Sequence, residues 1–201
     1  MEKNKSVLPA QRTLDARETR RDATEVPADA RREAECADVV RCVESGNGSG
    51  YRIGIDPGCS GAIVVMDRRW NLIEWDLMPV IKVGKASRVN AAALAEMLRD
   101  FDAGDAYVEQ VGAMPGQGVS SMFSFGHAAG VVAGVLGAML IPVTLVTPQA
   151  WKKRSALIGK DKDAARTRAI QLWPAWRDLD FKGKGQALAD AALIARFGGA
   201  Q

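Results

Sequence analysis

Three acids stand alone in apolar surroundings, and their spacing raises a chemical question. Asp56 closes the run Tyr51-Arg52-Ile53-Gly54-Ile55, Glu109 follows Ala106-Tyr107-Val108, and Asp190 interrupts Ala187-Leu188-Ala189-Asp190-Ala191-Ala192-Leu193-Ile194-Ala195. A carboxylate at a buried strand end or on a buried helix face costs several kcal/mol, roughly, unless something compensates it. One such acid is ordinarily a paired or capping group. Three that the fold brings together repel unless they share protons or hold a cation. Oxygen-only ligands suit magnesium, with manganese as a substitute.

The elements that must position these acids follow from the pattern. Tyr51–Ile55 and Ala62–Met66 are apolar, β-branched runs joined by Asp56-Pro57-Gly58-Cys59-Ser60-Gly61, which predicts a hairpin. A third strand is predicted near Trp70–Met78, a helix over about Asn90–Phe101, and a strand over Asp105–Val111. After the loop Gly112–Gly118 come a small-residue helix over about Ser120–Met139 and a strand over Ile141–Val146. Helices are then predicted around Asp161–Trp173 and Gln186–Phe197. Three strands joined by short turns form an antiparallel meander, and strands separated by helices pair in parallel. The expectation is a mixed sheet flanked by helices. If the first and fourth strands are neighbours, Asp56 and Glu109 lie side by side, and the last helix brings Asp190 to them.

Composition sets outer limits. The chain has 201 residues and a net charge of +3, unevenly spread. Residues 1–50 hold nine basic and ten acidic residues, no Phe, Trp or Tyr, and end in Ser45-Gly46-Asn47-Gly48-Ser49-Gly50. They are expected to form a disordered extension and linker, with residues 51–201 as the folded domain. Residues 145–185 hold ten Lys/Arg against four Asp, which favours an anionic partner. No apolar run of spanning length is free of polar breaks; Val119–Val146 comes nearest, broken by Ser, His and Gly, so no membrane partner is expected. Three cysteines, Cys36, Cys42 and Cys59, fit no zinc spacing, and an odd number suits a reducing cytoplasm. The single histidine, His127, lies in a helix without an obvious partner, and Cys59 lacks a base; neither is expected to be catalytic.

With these residues in view, the chain resembles the RuvC-type Holliday junction resolvases, especially their phage and prophage crossover junction endodeoxyribonucleases. The resemblance is carried by Ile53-Gly54-Ile55-Asp56-Pro57-Gly58, Val108-Glu109-Gln110 and Ala189-Asp190-Ala191-Ala192-Leu193-Ile194-Ala195. Phe123-Ser124-Phe125-Gly126, Ile141-Pro142-Val143, Pro148-Gln149-Ala150-Trp151-Lys152-Lys153 and Gly159-Lys160-Asp161-Lys162-Asp163-Ala164 fall between them in the same order. It runs from about Tyr51 to Gly198. It implies a ribonuclease H-like α/β fold with a five-stranded mixed sheet, a homodimer, and magnesium-dependent nicking of four-way or other branched DNA, in a bacterial or phage-infected cytoplasm. Asp56, Glu109 and Asp190 match metal-binding carboxylates, expected to take two ions per site. Lys152 and Lys162 match basic positions near the scissile phosphate, and Lys162 is the expected transition-state lysine. Lys153, Arg154, Lys160, Arg166 and Arg168 extend a phosphate track that positions DNA without reading its sequence. Met114, Met122, Phe123 and Phe125, after Glu109, are candidates for a wedge at the junction centre or for core packing. One departure matters: the family places a further acid one turn before the last, where this chain has Ala187, with Gln186 beside it as a weaker neutral ligand. Two other classes fit parts of the pattern. One is a branched-DNA-binding protein with weak or no cleavage, which Ala187 would allow. The other is a nucleotide-binding ATPase of the actin and sugar-kinase type, for which about 150 core residues are too few.

Overall fold

The hairpin around Asp56 supplies the central strand of the main sheet and its antiparallel neighbour. The structure is a computed structural model and describes residues 50–110, 112, 116–161 and 163–199. The extension expected over residues 1–50 lies outside these, apart from Gly50, whose carbonyl accepts from Arg68 Nε at 3.0 Å. Five strands form the main sheet: β1 (Tyr51–Ile55), β2 (Ala62–Met66), β3 (Leu72–Leu77), β6 (Ala103–Glu109) and β7 (Val143–Val146). Their order is β3-β2-β1-β6-β7. β2 runs antiparallel to β1 and β3, whereas β6 pairs in parallel with β1 and with β7. A meander followed by parallel crossovers, with β2 alone reversed, is the mixed sheet that the pattern predicts and the ribonuclease H-like arrangement that the resemblance implies.

Helices cover both faces, which is why β2 is buried along its whole length. Its alternate residues feed two cores. Ile63 and Val65 join Ile53 and Ile55 of β1 against α1 (Ala91–Leu98) and α2 (Val119–Ala138), through Leu94, Leu98, Val132 and Leu136. Ala62, Val64 and Met66 face α5 (Lys182–Phe197), through Leu188, Ala191, Ala192 and Ala195. α5 lies directly on β1 because residue 54 is glycine. A Cβ there would overlap the Ala191 carbonyl oxygen and come within 2.7 Å of the Ala195 side chain. Two shorter helices, α3 (Pro148–Arg154) and α4 (Ala164–Leu172), flank α5.

Several elements differ from the sequence expectation. A second hairpin, β4 (Val80–Val83) and β5 (Ala86–Val89), turns at Gly84, whose φ is 61°. α3 is a helix where none is predicted, capped by Thr147 Oγ1 accepting from Ala150 N at 3.2 Å, with Pro148 in its first turn. α5 begins at Lys182 rather than near Gln186. Gly183 and Gly185 read as helix breakers, yet Gly185 is needed for close packing, since a Cβ there would lie 2.6 Å from the Leu179 carbonyl oxygen. α2 is, by length and composition alone, long and apolar enough to cross a membrane, contrary to the expectation from its polar breaks. Ala128, Val132, Val135 and Leu136 of this helix are buried in the fold.

Candidate active site

Strand register sets the site. Asp56 immediately follows β1 and Glu109 ends β6, where Ile55 is aligned with Val108. Continuing that register places Asp56 beside Glu109, and the two-residue period turns both toward the α5 face. The Asp56 amide donates to the Ala62 carbonyl at 3.0 Å and so extends the hairpin by one rung. Its Oδ1 accepts from Gly58 N at 3.3 Å. Gly61 makes room for the acid, because a Cβ there would overlap the Asp56 carbonyl oxygen and reach 2.9 Å from its Cγ. Asp190 comes from the middle of α5.

Each acid is perturbed in the same direction. Burial raises the Asp56 pKa, and the Gly58 amide opposes the rise only partly. Burial also raises Glu109; Trp151 Nε1, donating to Glu109 Oε1 at 2.9 Å, and the Lys152 charge oppose it, whereas the Asp56 charge adds to it. Asp190 is pushed up to about 7, first by burial and then by the charges of Asp56 and Glu109. Gln186 Nε2, donating to Asp190 Oδ1 at 3.1 Å, and Lys152 work against that rise. None of the three acids is in an ion pair among the described residues.

The acids feel one another's charge, yet no three His, Cys, Asp or Glu side chains among the described residues converge tightly enough to hold an ion. The two observations are compatible. Charge acts over roughly 10 Å, whereas magnesium needs oxygens at about 2 Å. The donor set fits a hard divalent cation: it is all oxygen, half-buried, and opposed by the single charge of Lys152. Gln186 adds a further donor, for its Oε1 is buried without a hydrogen-bond partner. Ala187 is only 8% exposed and packs into the apolar cluster with Ala62, Val64 and Leu188. The departure from the family pattern thus falls on a position that this fold uses for packing.

Asp56 and Glu109 open into a cleft of about 740 Å³, whose other wall carries Ser87, Gln117, Ser121, Ser124 and Phe125. Arg88 braces that wall, with Nη1 donating to Ser124 Oγ at 2.7 Å and its guanidinium 5.9 Å from the Phe123 ring centroid. Phe125 lines the cleft and Phe123 is exposed; Met114 lies outside the described residues. Cys59 lines the same cleft and its Sγ donates to the Ser87 carbonyl at 3.5 Å. His127 is exposed on α2, tilted against Phe123.

The expected basic residues do not form one track. Lys152 acts on Glu109 and Asp190. Lys153 is exposed on α3. Arg154 turns to the far end of α5, where Nη1 donates to the carbonyls of Phe197 (2.9 Å) and Gly198 (2.6 Å). Arg166 Nη1 donates to the Leu179 carbonyl at 3.2 Å. Lys160 and Arg168 line a separate cavity of about 470 Å³. Lys162 lies outside the described residues. The sequence reading missed Trp151 as a site residue, although its position directly before Lys152-Lys153 was a signal. It also missed Arg88 and the serines, which reach the cleft through the unpredicted hairpin and the start of α2.

No family model and no curated protein matches the chain. Among solved structures it is similar to T. thermophilus RuvC in complex with Holliday junction substrate, with 20% identity over 71% of this chain and 89% of that one, at a TM-score of 0.48. It is also similar to a Thermus thermophilus RuvC structure, with 18% identity over 72% and 92% of the two chains, at a TM-score of 0.45.

Proposed function

We propose that this protein is a metal-dependent endonuclease that nicks branched DNA, four-way junctions foremost. The observation that carries the reading is the set Asp56, Glu109 and Asp190: three half-buried carboxylates from three elements, raised in pKa, in no ion pair among the described residues, two of them opening on a cleft. A fold bears such a cost where a cation offsets it. Asp56, Glu109 and Asp190 would hold magnesium, or manganese in its place, with Gln186 Oε1 as a fourth oxygen. When bound, two such ions supply an activated water and stabilise the leaving oxygen of the phosphodiester. The protein's own part is positional. The Gly58 amide holds Asp56, the buried Trp151 indole holds Glu109, and Gln186 holds Asp190. Lys152 places positive charge beside the same acids, where a phosphate would lie.

A homodimer completes the proposal. Gly126, Gly130, Gly134 and Gly137 lie along α2, and nothing within 4 Å would meet a Cβ at any of them. Glycine inside a helix costs up to about 1 kcal/mol relative to alanine. Four open to solvent suit the close approach of a second copy across a two-fold axis, which would put one site on each of two opposed strands.

A second reading, a junction-binding protein that does not cut, is favoured by Ala187 and by the lack, among the described residues, of three His, Cys, Asp or Glu side chains converging tightly enough to hold an ion. The test is a labelled four-way junction and a linear duplex of the same sequence, incubated with the full chain in magnesium or EDTA, alongside Asp56→Asn. Paired nicks in the junction that need both magnesium and Asp56 are expected, with junction binding retained by the variant. Nicking by Asp56→Asn at the wild-type rate would overturn the site. Tight binding without nicking in any divalent metal would establish the second reading.

A further inference from the structure

The face of the sheet that carries the acids at one end carries arginines at the other. On β1, Arg52, Gly54 and Asp56 share a face by the two-residue period, and Arg52 is aligned with Asp105 of β6. α5 runs along this face from Asp190 to Arg196. Trp70, from the β2–β3 turn, joins them: the Arg52 guanidinium lies 4.3 Å from its ring centroid and that of Arg196 lies 5.2 Å from it. The charge of Arg168 of α4 also bears on Arg196, lowering its pKa after burial.

This cluster lacks the partners expected of a structural one. Asp105, the acid across from Arg52, is taken by Arg68 at 3.4 Å. Arg52, Arg168 and Arg196 make no ion pair among the described residues. The Nε atoms of Arg52 and Arg196 are buried without hydrogen-bond partners, whereas Arg168 Nη1 donates to Gln171 Oε1 at 3.3 Å. The carbonyls ending α5, which would attract an arginine, are already occupied by Arg154. The platform itself is held at a conformational cost. Trp70 has a φ of 70°, a region that bulky side chains rarely adopt. Its turn is fixed by Asp67, which accepts from the amides of Arg69 and Asn71 at 2.8 Å each, and Trp173 Nε1 donates to the Trp70 carbonyl at 2.9 Å. An aromatic ring is thus kept where glycine or asparagine is usual, under two guanidinium groups.

We propose that Arg52 and Arg196, ordered on Trp70, form a second phosphate-binding site that grips the backbone of a DNA arm leaving the acidic end. The inference rests on the nuclease reading and adds to it a contact remote from the acids. Planar guanidinium groups match phosphate oxygens in pairs, and stacking leaves their donors preorganised. The distance follows from the backbone. Four residues of β1 separate Arg52 from Asp56, about 13 Å at 3.3 Å per residue. Backbone phosphates advance about 3.4 Å per nucleotide along one strand, so the gripped phosphate lies about four nucleotides from the cut.

The test measures junction affinity of the full chain in EDTA between about 50 and 200 mM salt, the range over which phosphate contacts dominate. Wild type is compared with Arg52→Gln, Arg196→Gln and Arg52→Lys. Each glutamine variant is expected to flatten the salt slope by about one, and Arg52→Lys to keep the slope while weakening binding. Junctions carrying single neutral methylphosphonate linkages, about two to seven nucleotides from the wild-type nick, then locate the contact. Wild type is expected to lose affinity when the linkage near the fourth is neutralised, and Arg196→Gln to be indifferent to it. The linkage scan on wild type alone decides the matter if a variant fails to fold. Unchanged slopes, or no sensitive linkage in that window while wild type still nicks junctions, would overturn this site and leave the nuclease reading standing. A wild-type protein that neither binds nor nicks junctions would overturn both.

Discussion

Asp190→Asn removes a charge that the metal-free protein holds against its own folding equilibrium. In the unfolded chain Asp190 ionises near 3.8, whereas in the fold its pKa is about 7. Between these values the folded state binds more protons than the unfolded state, so stability falls as pH rises from about 4 to about 7 and then levels off. The sign is that of an acid raised on folding: the favourable contribution is present below 3.8 and is lost through about 7. About three pKa units at 1.36 kcal/mol each give a cost on the order of 4 kcal/mol above pH 7. That is an upper bound, because Asp56 and Glu109 share the repulsion. Asparagine is nearly isosteric, and its Oδ1 still accepts from Gln186 Nε2. Metal-free Asp190→Asn should therefore be more stable than wild type at pH 8, by about 2–4 kcal/mol, and equal to it near pH 4. Urea unfolding of both proteins in EDTA at pH 4.5, 6 and 8 measures this. Magnesium should close the gap at pH 8 by stabilising wild type selectively, while the variant loses nicking. A variant less stable than wild type at pH 8, or a wild-type pH slope that the substitution leaves unchanged, would refute the reasoning.

Other substitutions probe the surroundings. Trp151→Phe keeps most of the buried ring but removes the donor to Glu109, one of the groups holding that pKa down; the acid limb of the pH–rate profile should move to higher pH, with a stability loss of about 1–2 kcal/mol by urea titration. Ala187→Asp puts a carboxylate into an apolar cluster beside Asp190, so the EDTA melting temperature at pH 8 should drop while the rise on adding magnesium grows; a magnesium response equal to that of wild type would show that position 187 cannot reach the metal. Gly130→Arg adds a side chain where the monomer has open space. It should leave the monomer's fold intact by circular dichroism yet shift sedimentation from dimer to monomer; an unchanged dimer would move the interface off α2.

What the sequence revealed and what it hid differ in physical kind. Asp56 and Glu109 were legible because a strand forces its own geometry: two apolar runs of period two, each ended by an acid, have few ways to pair. The last helix was legible for Asp190 but not for its start. Gly183 and Gly185 lower helix propensity, and tertiary packing against Leu179 overrode that preference. The β4–β5 hairpin was missed because its strands have four residues each and β4 is exposed on both faces, leaving no hydrophobic alternation to read. Trp151 was quoted as part of a motif but not as a site residue, since its bond to Glu109 spans 42 positions. The arginine cluster was illegible for the same reason, more strongly. Residues 52, 70 and 196 come from three elements, and nothing local in any of them announces the others.

One contact governs both ends of that face. α5 approaches β1 closely only because Gly54 has no side chain, and the overlap a Cβ would make with the Ala191 carbonyl and the Ala195 side chain fixes where along the strand the helix rests. Asp190 lies one residue before that contact and Arg196 one residue after it. A helix shifted by a single residue, about 1.5 Å, would also rotate by about 100°. Asp190 would turn away from Asp56 and Glu109, and Arg196 away from Trp70, in the same movement. The fold therefore does not tune its acidic and basic ends independently. It sets them together through a glycine whose own side chain does no chemistry, and the alanines at 191, 192 and 195 keep the helix surface flat enough for that contact to form.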